Sequence, residues 1–257
     1  MSNFRVIARL DIKQGYLIKG IHLEGWRKVG APEEFSYSYY SNGADEILYM
    51  DVVASLYDRN NLTELVEHTA RDVFIPICVG GGIRSVKDAD LLLRSGADKV
   101  AVNTAAIKKP ELLSELANRF GSQAVVMSIE AKSQGPGKWE AYTDNGREHT
   151  GIDVIEWVSR AVELGAGEIL ITSVDKEGTG QGPDIPLIEA VASSTTLPVI
   201  ACGGIGDPVH VLETLEAGSD AVAIARSLHY KNTTIKEIKN FLMSNGYNLP
   251  RRTLPDN

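Results

Sequence analysis

Two carboxylates stand at matching places in this 257-residue chain. Asp11 ends the apolar part of "VIARLDIKQG" (6–15), and Glu130 ends that of "VVMSIEAKSQG" (125–135). A lysine, Lys13 or Lys132, follows two residues later in each. Opposed carboxylates at two strand ends can divide acid and base work, one protonated and one ionised. Loop caps, or salt bridges to those lysines, are the structural alternative. Glycine turns recur as well: Gly80, Gly81 and Gly82 lie in "VGGGI", and Gly203 and Gly204 in "ACGGI". Glycine lets the backbone approach a ligand closely and point an amide at phosphate. The turns that follow are "NTA" (Asn103, Thr104, Ala105) and "ARS" (Ala225, Arg226, Ser227). Two such sites across one mouth suit a bisphosphate. Lys19, between Gly15 and Gly20, can close over an anion, and Asp51 and Asp175 end two further apolar runs. The five histidines (22, 68, 149, 210, 229) show no ligand spacing, so no metal site is expected. No GxGxxG fingerprint is present.

These residues need a scaffold that brings distant strand ends together. Eight short apolar runs alternate with amphipathic stretches: "RVIARLD", "EILYMD", "IPICVGG", "KVAVN", "QAVVMSIE", "EILITSV", "LPVIACGG" and "DAVAIA". Near-continuous apolar runs read as parallel strands covered on both faces. Eight such units in ~250 residues predict an α/β (β/α)₈ TIM barrel, with a doubly wound sheet as the alternative. "GADEILYMD" answers "GAGEILITS", and "SGADKVAVNTA" answers "AGSDAVAIARS", at an offset of 122 residues. The reading is one barrel domain over 1–257 built from half-barrels of about 1–122 and 123–245, with a short polar tail. Stretches 12–31, 131–151 and 175–183 read as long irregular loops on the face that carries barrel active sites. Arg5, Glu46, Lys99 and Glu168 each precede an apolar run, which predicts a salt-bridge ring closing the barrel floor.

Composition narrows the partners. Net charge is −8 (26 basic, 34 acidic), which disfavours nucleic acid or an anionic membrane. Cys78 and Cys202 are the only cysteines, each inside an apolar run, and read as small core residues of a reduced compartment. No apolar run approaches the ~18 residues of a membrane span, and no signal-like segment opens the chain, so a cytoplasmic protein is expected.

From Arg5 to about Leu242, "LDIKQGYLIKG", "GADE", "VGGGIRSVKDADLLLRSGADKVAVNTAA", "RFGSQ", "GAGEILITSVDKEGTGQG" and "ACGGI" follow one another in the order of a known family. The chain resembles the cyclase subunit of imidazole glycerol phosphate synthase. The resemblance implies an ammonia-dependent lyase of histidine biosynthesis without a cofactor. It would cleave a ribulosyl formimino carboxamide ribotide, a bisphosphate, to imidazole glycerol phosphate and the aminoimidazole carboxamide ribotide. A glutaminase subunit would supply the ammonia as partner in a heterodimer. Asp11 and Glu130 fall on the catalytic positions, as general acid and general base. Lys19, Gly82, Asn103, Thr104, Asp175, Thr179, Gly204, Ala225 and Arg226 fall on substrate and phosphate positions. Arg5, Glu46, Lys99 and Glu168 become the ammonia gate, and Asp98 a partner-facing residue. The sequence departs from the family at Glu130, where it has Asp, and at Arg9, Cys202 and Arg226, where it has small residues. An inward Arg9 would keep Asp11 ionised and weaken it as an acid. These departures leave two alternatives: a subunit that uses ammonia to amidate a nucleotide sugar for surface polysaccharide, and a non-catalytic activator of a glutaminase.

Overall fold

A computed structural model describes residues 4–53 and 62–249. Residues 1–3 and 54–61, assigned to the first half-barrel, lie outside the described residues, as does the polar tail from 250. The strands are β1 (Arg5–Lys13), β2 (Tyr16–Ile21), β3 (Glu24–Gly30), β4 (Glu46–Asp51), β5 (Ile77–Gly80), β6 (Lys99–Val102), β7 (Val125–Gly135), β8 (Lys138–Thr143), β9 (Glu148–Asp153), β10 (Glu168–Ser173), β11 (Val199–Cys202) and β12 (Ala221–Ile224). Eight of them, β1, β4, β5, β6, β7, β10, β11 and β12, pair in parallel around a closed ring, with β10 returning to β7. The sheet is a closed (β/α)₈ barrel, and the doubly wound alternative is excluded. All eight strands anticipated from the apolar runs are present.

Helices cover the outside because their apolar stripes match the outward faces of the strands. Leu112, Leu113 and Leu116 are buried on helix Glu111–Phe120, and Val154, Trp157, Val158 and Ala161 on Val154–Glu163. Gly96, Gly121 and Gly165 end helices at φ of +112°, +87° and +93°, where a side chain would be strained.

Two of the three loops expected to be irregular are not. Residues 12–31 continue β1 into an antiparallel hairpin with β2 and β3, and 131–151 continue β7 into β8 and β9. The outer strand of each hairpin is largely exposed, so it carries no apolar pattern to read. The stretch 175–183 does remain turns.

Strand period 2 decides what fills the barrel. On β1, Arg5, Ile7, Arg9 and Asp11 share the inward face. Ile7 packs there with Leu48, Cys78, Ala101, Val126, Leu170, Ile200, Cys202, Ala221 and Ala223. The charges of the floor lie below this apolar layer and those of the mouth above it.

Candidate active site

The floor is the simpler end. Arg5 bonds Glu46 at 2.7 Å and also Glu168, and Lys99 bonds both Glu46 and Glu168 at 2.9 Å. All four expected residues therefore meet in one alternating ring. Burial raises the Glu46 carboxyl above its ordinary range, against the pull of Lys99 and Arg5. Asp98 stands beside the ring, exposed, and its carboxylate accepts from the Ile77 amide at 2.8 Å. Asp220 does the same for Val199 at 2.9 Å, 122 residues later.

At the mouth, Asp11 is gripped by two cations. Arg9 Nε donates to one oxygen at 2.8 Å, and Lys19 Nζ to the other at 2.8 Å. Arg9 does point inward and reaches across the barrel: its Nη1 lies 3.2 Å from Thr172 Oγ1 and 3.3 Å from Cys202 Sγ. Lys19 also pairs with Glu177. Arg9, Asp11, Lys19 and Glu177 are each at most 4% exposed. Two positive and two negative charges balance, which is the condition for burying them. Burial alone would raise the Asp11 carboxyl, but Arg9 and then Lys19 overcome it and hold Asp11 below the usual carboxylate range. The clamp favours the ionised form of Asp11.

Glu130 has the opposite environment. It is 8% exposed and accepts a hydrogen bond from the Gly146 amide at 2.8 Å. Desolvation pushes it up to about 7, and the Gly146 bond and Arg9 offset this only in part. Of the two carboxylates, Glu130 is therefore the one that can exchange a proton near neutrality.

The two glycine turns differ more than their sequences do. The first borders a cavity of about 300 Å³ lined by Gly81, Gly82, Asn103, Thr104, Lys108, Lys109 and Glu130, among others. Gly81 (φ +94°) lies against the Asp51 carbonyl, so a Cβ there would collide with it. Asn103 Nδ2 donates to the Tyr142 carbonyl at 3.0 Å, while its Oδ1 is buried without a partner. The second turn, with Gly203, Gly204, Ala225, Arg226 and Glu177, encloses only about 10 Å³, room for about one water. The Arg226 guanidinium fills the space over Gly180 and faces the Tyr230 ring at 5.9 Å.

Two expected residues turn elsewhere. Asp175 is exposed and accepts from the Ser133 amide at 2.8 Å. Thr179 donates to the Lys176 carbonyl at 2.7 Å within its own turn. Glu177 occupies the interior instead, because the turn after β10 folds its amide back onto the Ser173 carbonyl at 2.9 Å. Neither Glu177 nor the cavity lysines Lys108 and Lys109 stood out in the sequence.

Comparison with known proteins bears on this geometry. The family model described as "Histidine biosynthesis protein" matches residues 5–234. The chain belongs to this family. It is 63% identical to the imidazole glycerol phosphate synthase subunit HisF of Legionella pneumophila over 206 residues, covering 80% of this chain and 97% of that one. It is 48% identical to the HisF subunit of Pyrococcus furiosus over 242 residues, covering 94% and 96%. The family's barrel thus carries, in this chain, a mouth with one open and one filled turn, over a closed floor. Among the described residues, no helix is long and apolar enough to cross a membrane.

Proposed function

We infer that this chain is the cyclase subunit of imidazole glycerol phosphate synthase and works in histidine biosynthesis. The 63% identity to a HisF subunit across 97% of that protein carries the reading. The site supports it, because an acid–base carboxylate borders a cavity with a glycine turn and two lysines. In the reaction we propose, one phosphate of the bisphosphate substrate lies against Gly82, Asn103 and Thr104, near Lys108 and Lys109. The other displaces Arg226 from over Gly180 and binds near Gly204 and Ala225. Glu130 takes the proton released when ammonia attacks and returns it later. Asp11, held ionised by Arg9 and Lys19, stabilises positive charge on the ammonia adduct. Lys19 keeps the first hairpin over the mouth and excludes water.

The name subunit implies an assembly, and we propose a glutaminase as the other chain, docked at the floor near Asp98. Ammonia then passes the ring of Arg5, Glu46, Lys99 and Glu168 into an apolar interior where it stays uncharged. We further read the barrel as a duplicated half-barrel in the cytoplasm. The matching hairpins after β1 and β7, and the matching Asp98 and Asp220 bonds, support the duplication. Incubation with the ribulosyl substrate and ammonium salt tests the activity. Formation of imidazole glycerol phosphate is expected, and its absence at high protein concentration overturns the reading. Glutamine replaces ammonium only with the glutaminase present if the docking is right.

A further inference from the structure

The hairpin turn of β8–β9 is built from three consecutive left-handed residues: Asp144 (φ +50°), Asn145 (φ +64°) and Gly146 (φ +75°). Asp, Asn and Gly tolerate this region, and neighbours fix the turn further on several sides. The Asp144 amide donates to Thr104 Oγ1 at 3.1 Å. The Gly146 amide donates to Glu130 at 2.8 Å. Asn145 Nδ2 donates to the Leu23 carbonyl at 3.1 Å. Arg147 lies over the Trp26 ring at 5.2 Å. The last two contacts belong to the other hairpin, β2–β3.

That hairpin's tip is also held in an unusual state. His22 (φ +51°) and Leu23 (φ +61°) are left-handed without being glycine, and Leu23 is buried. A bulky residue keeps such a conformation only where its surroundings impose it. Here the His22 amide donates to the Glu177 carbonyl at 2.8 Å, and His22 Nδ1 lies 3.0 Å from the Val174 carbonyl. Leu23 itself packs beside Gly146. The tip therefore holds its shape only while docked, and docking supplies the acceptor for Asn145.

We propose that Asn145 is a positioning residue that couples docking of the β2–β3 hairpin to the hydrogen bond between Gly146 and Glu130. With the tip in place, Asn145 anchors the turn and aims the Gly146 amide at the carboxylate. With the tip away, the turn loses this anchor and the Glu130 carboxylate loses its hydrogen bond from Gly146. At unchanged burial, loss of that bond makes Glu130 grip its proton more tightly, and its return when the tip docks favours release. The charged groups around Glu130 are Arg9, Asp11 and Asp144, with Lys19 on Asp11, Arg147 next along the turn, and Asp51, Arg84, Lys108 and Lys109 along the cavity it lines. Lys19 belongs to β2, and Asp144 and Arg147 flank the turn, so these three can shift with the hairpin or the turn, whereas Arg9 and Asp11 are fixed on β1. The inference rests on the reading of Glu130 as the proton-carrying group.

Asn145→Gly tests it, because glycine keeps the left-handed backbone and removes only the side chain. Two readouts need no substrate. One is the protonation midpoint of Glu130, followed by the infrared carboxyl band that disappears in Glu130→Gln. The other is amide exchange at His22. The expectation is a midpoint about one pH unit higher, since loss of a bond to the charged form favours the neutral one. Exchange at His22 should also quicken at least about tenfold, which corresponds to ~1.4 kcal/mol of lost protection. His22→Ala removes the contact to the Val174 carbonyl, leaves the left-handed strain in place, and so loosens the tip without touching Glu130; it should raise the midpoint in the same direction. A midpoint that stays put in either variant, or one that moves while His22 remains protected, overturns the coupling. A failed cyclase reading would show separately, as wild-type protein that forms no product while both readouts behave as described.

Discussion

Replacing Glu130 by Gln should stabilise the protein at alkaline pH while removing its activity. Burial raises the carboxyl from 4.5 to about 7, so the folded chain holds this proton more tightly than the unfolded chain. The cost of ionising it is absent below about pH 4.5, grows as pH rises, and is complete above about pH 7. A difference of about 2.5 in pKa at ~1.36 kcal/mol per unit makes the full cost ~3.4 kcal/mol. Between pH 5 and 8 the portion that develops is ~2.5 kcal/mol, by the same linkage. Gln is uncharged, has nearly the same shape, and can still accept the Gly146 hydrogen bond. Urea unfolding of both proteins at pH 5 and pH 8 measures the effect. The five histidines also titrate in this range, but they are common to both proteins and cancel in the difference. The wild type should lose ~2.5 kcal/mol relative to Glu130→Gln between the two pH values. Turnover of the variant should fall ~10²- to 10⁴-fold, the usual worth of a positioned acid–base group. Parallel stability at both pH values would refute the claim that the barrel holds Glu130 as a proton carrier.

Other consequences follow from the same network. At constant free ammonia, turnover should rise with pH through about 7 and then level off as Glu130 loses its proton; a falling limb there would make it the acid of the slow step. Arg9→Met leaves Asp11 and Glu177 sharing Lys19 alone, and urea unfolding should show a loss of ~3 kcal/mol. A loss below ~1 kcal/mol would mean that Arg9 was poorly compensated for its own burial. Gly204→Ala strains a residue at φ +86° and drives a methyl into the Gly182 carbonyl. Thermal unfolding should therefore show at least ~1–2 kcal/mol of destabilisation, and an unchanged midpoint would count against the tight second turn.

The outline of the barrel was legible because its eight strands are buried on both faces and its helices on one. Burial on both faces writes a continuous apolar run, and burial on one face writes a helical stripe. Arg9 was legible in part, since its spacing of two from Asp11 puts both on one face of β1. The floor ring was legible too, because charges just before apolar runs stand at strand starts. The hairpins β2–β3 and β8–β9 were not, since their backbones are satisfied by one another and their outer strands face water. Asp175 and Glu177 show another limit. Strand periodicity stops at Ser173, and the following turn decides which of two nearby acids enters the barrel. The two glycine turns, so alike in the sequence, end as one open cavity and one filled space, because Arg226 folds over Gly180.

The sequence by itself determined the family, the closed barrel and the residues brought to its two ends, since periodicity and motif order are local properties of the chain. The tertiary structure alone decided their charge states. Asp11 stays ionised because Arg9 and Lys19 reach it from other positions along the chain. Glu130 holds its proton to about pH 7 because the fold removes water, and the Gly146 amide and Arg9 offset this only in part. A carboxyl group's proton affinity depends on everything within a few ångströms, and only folding brings those neighbours together.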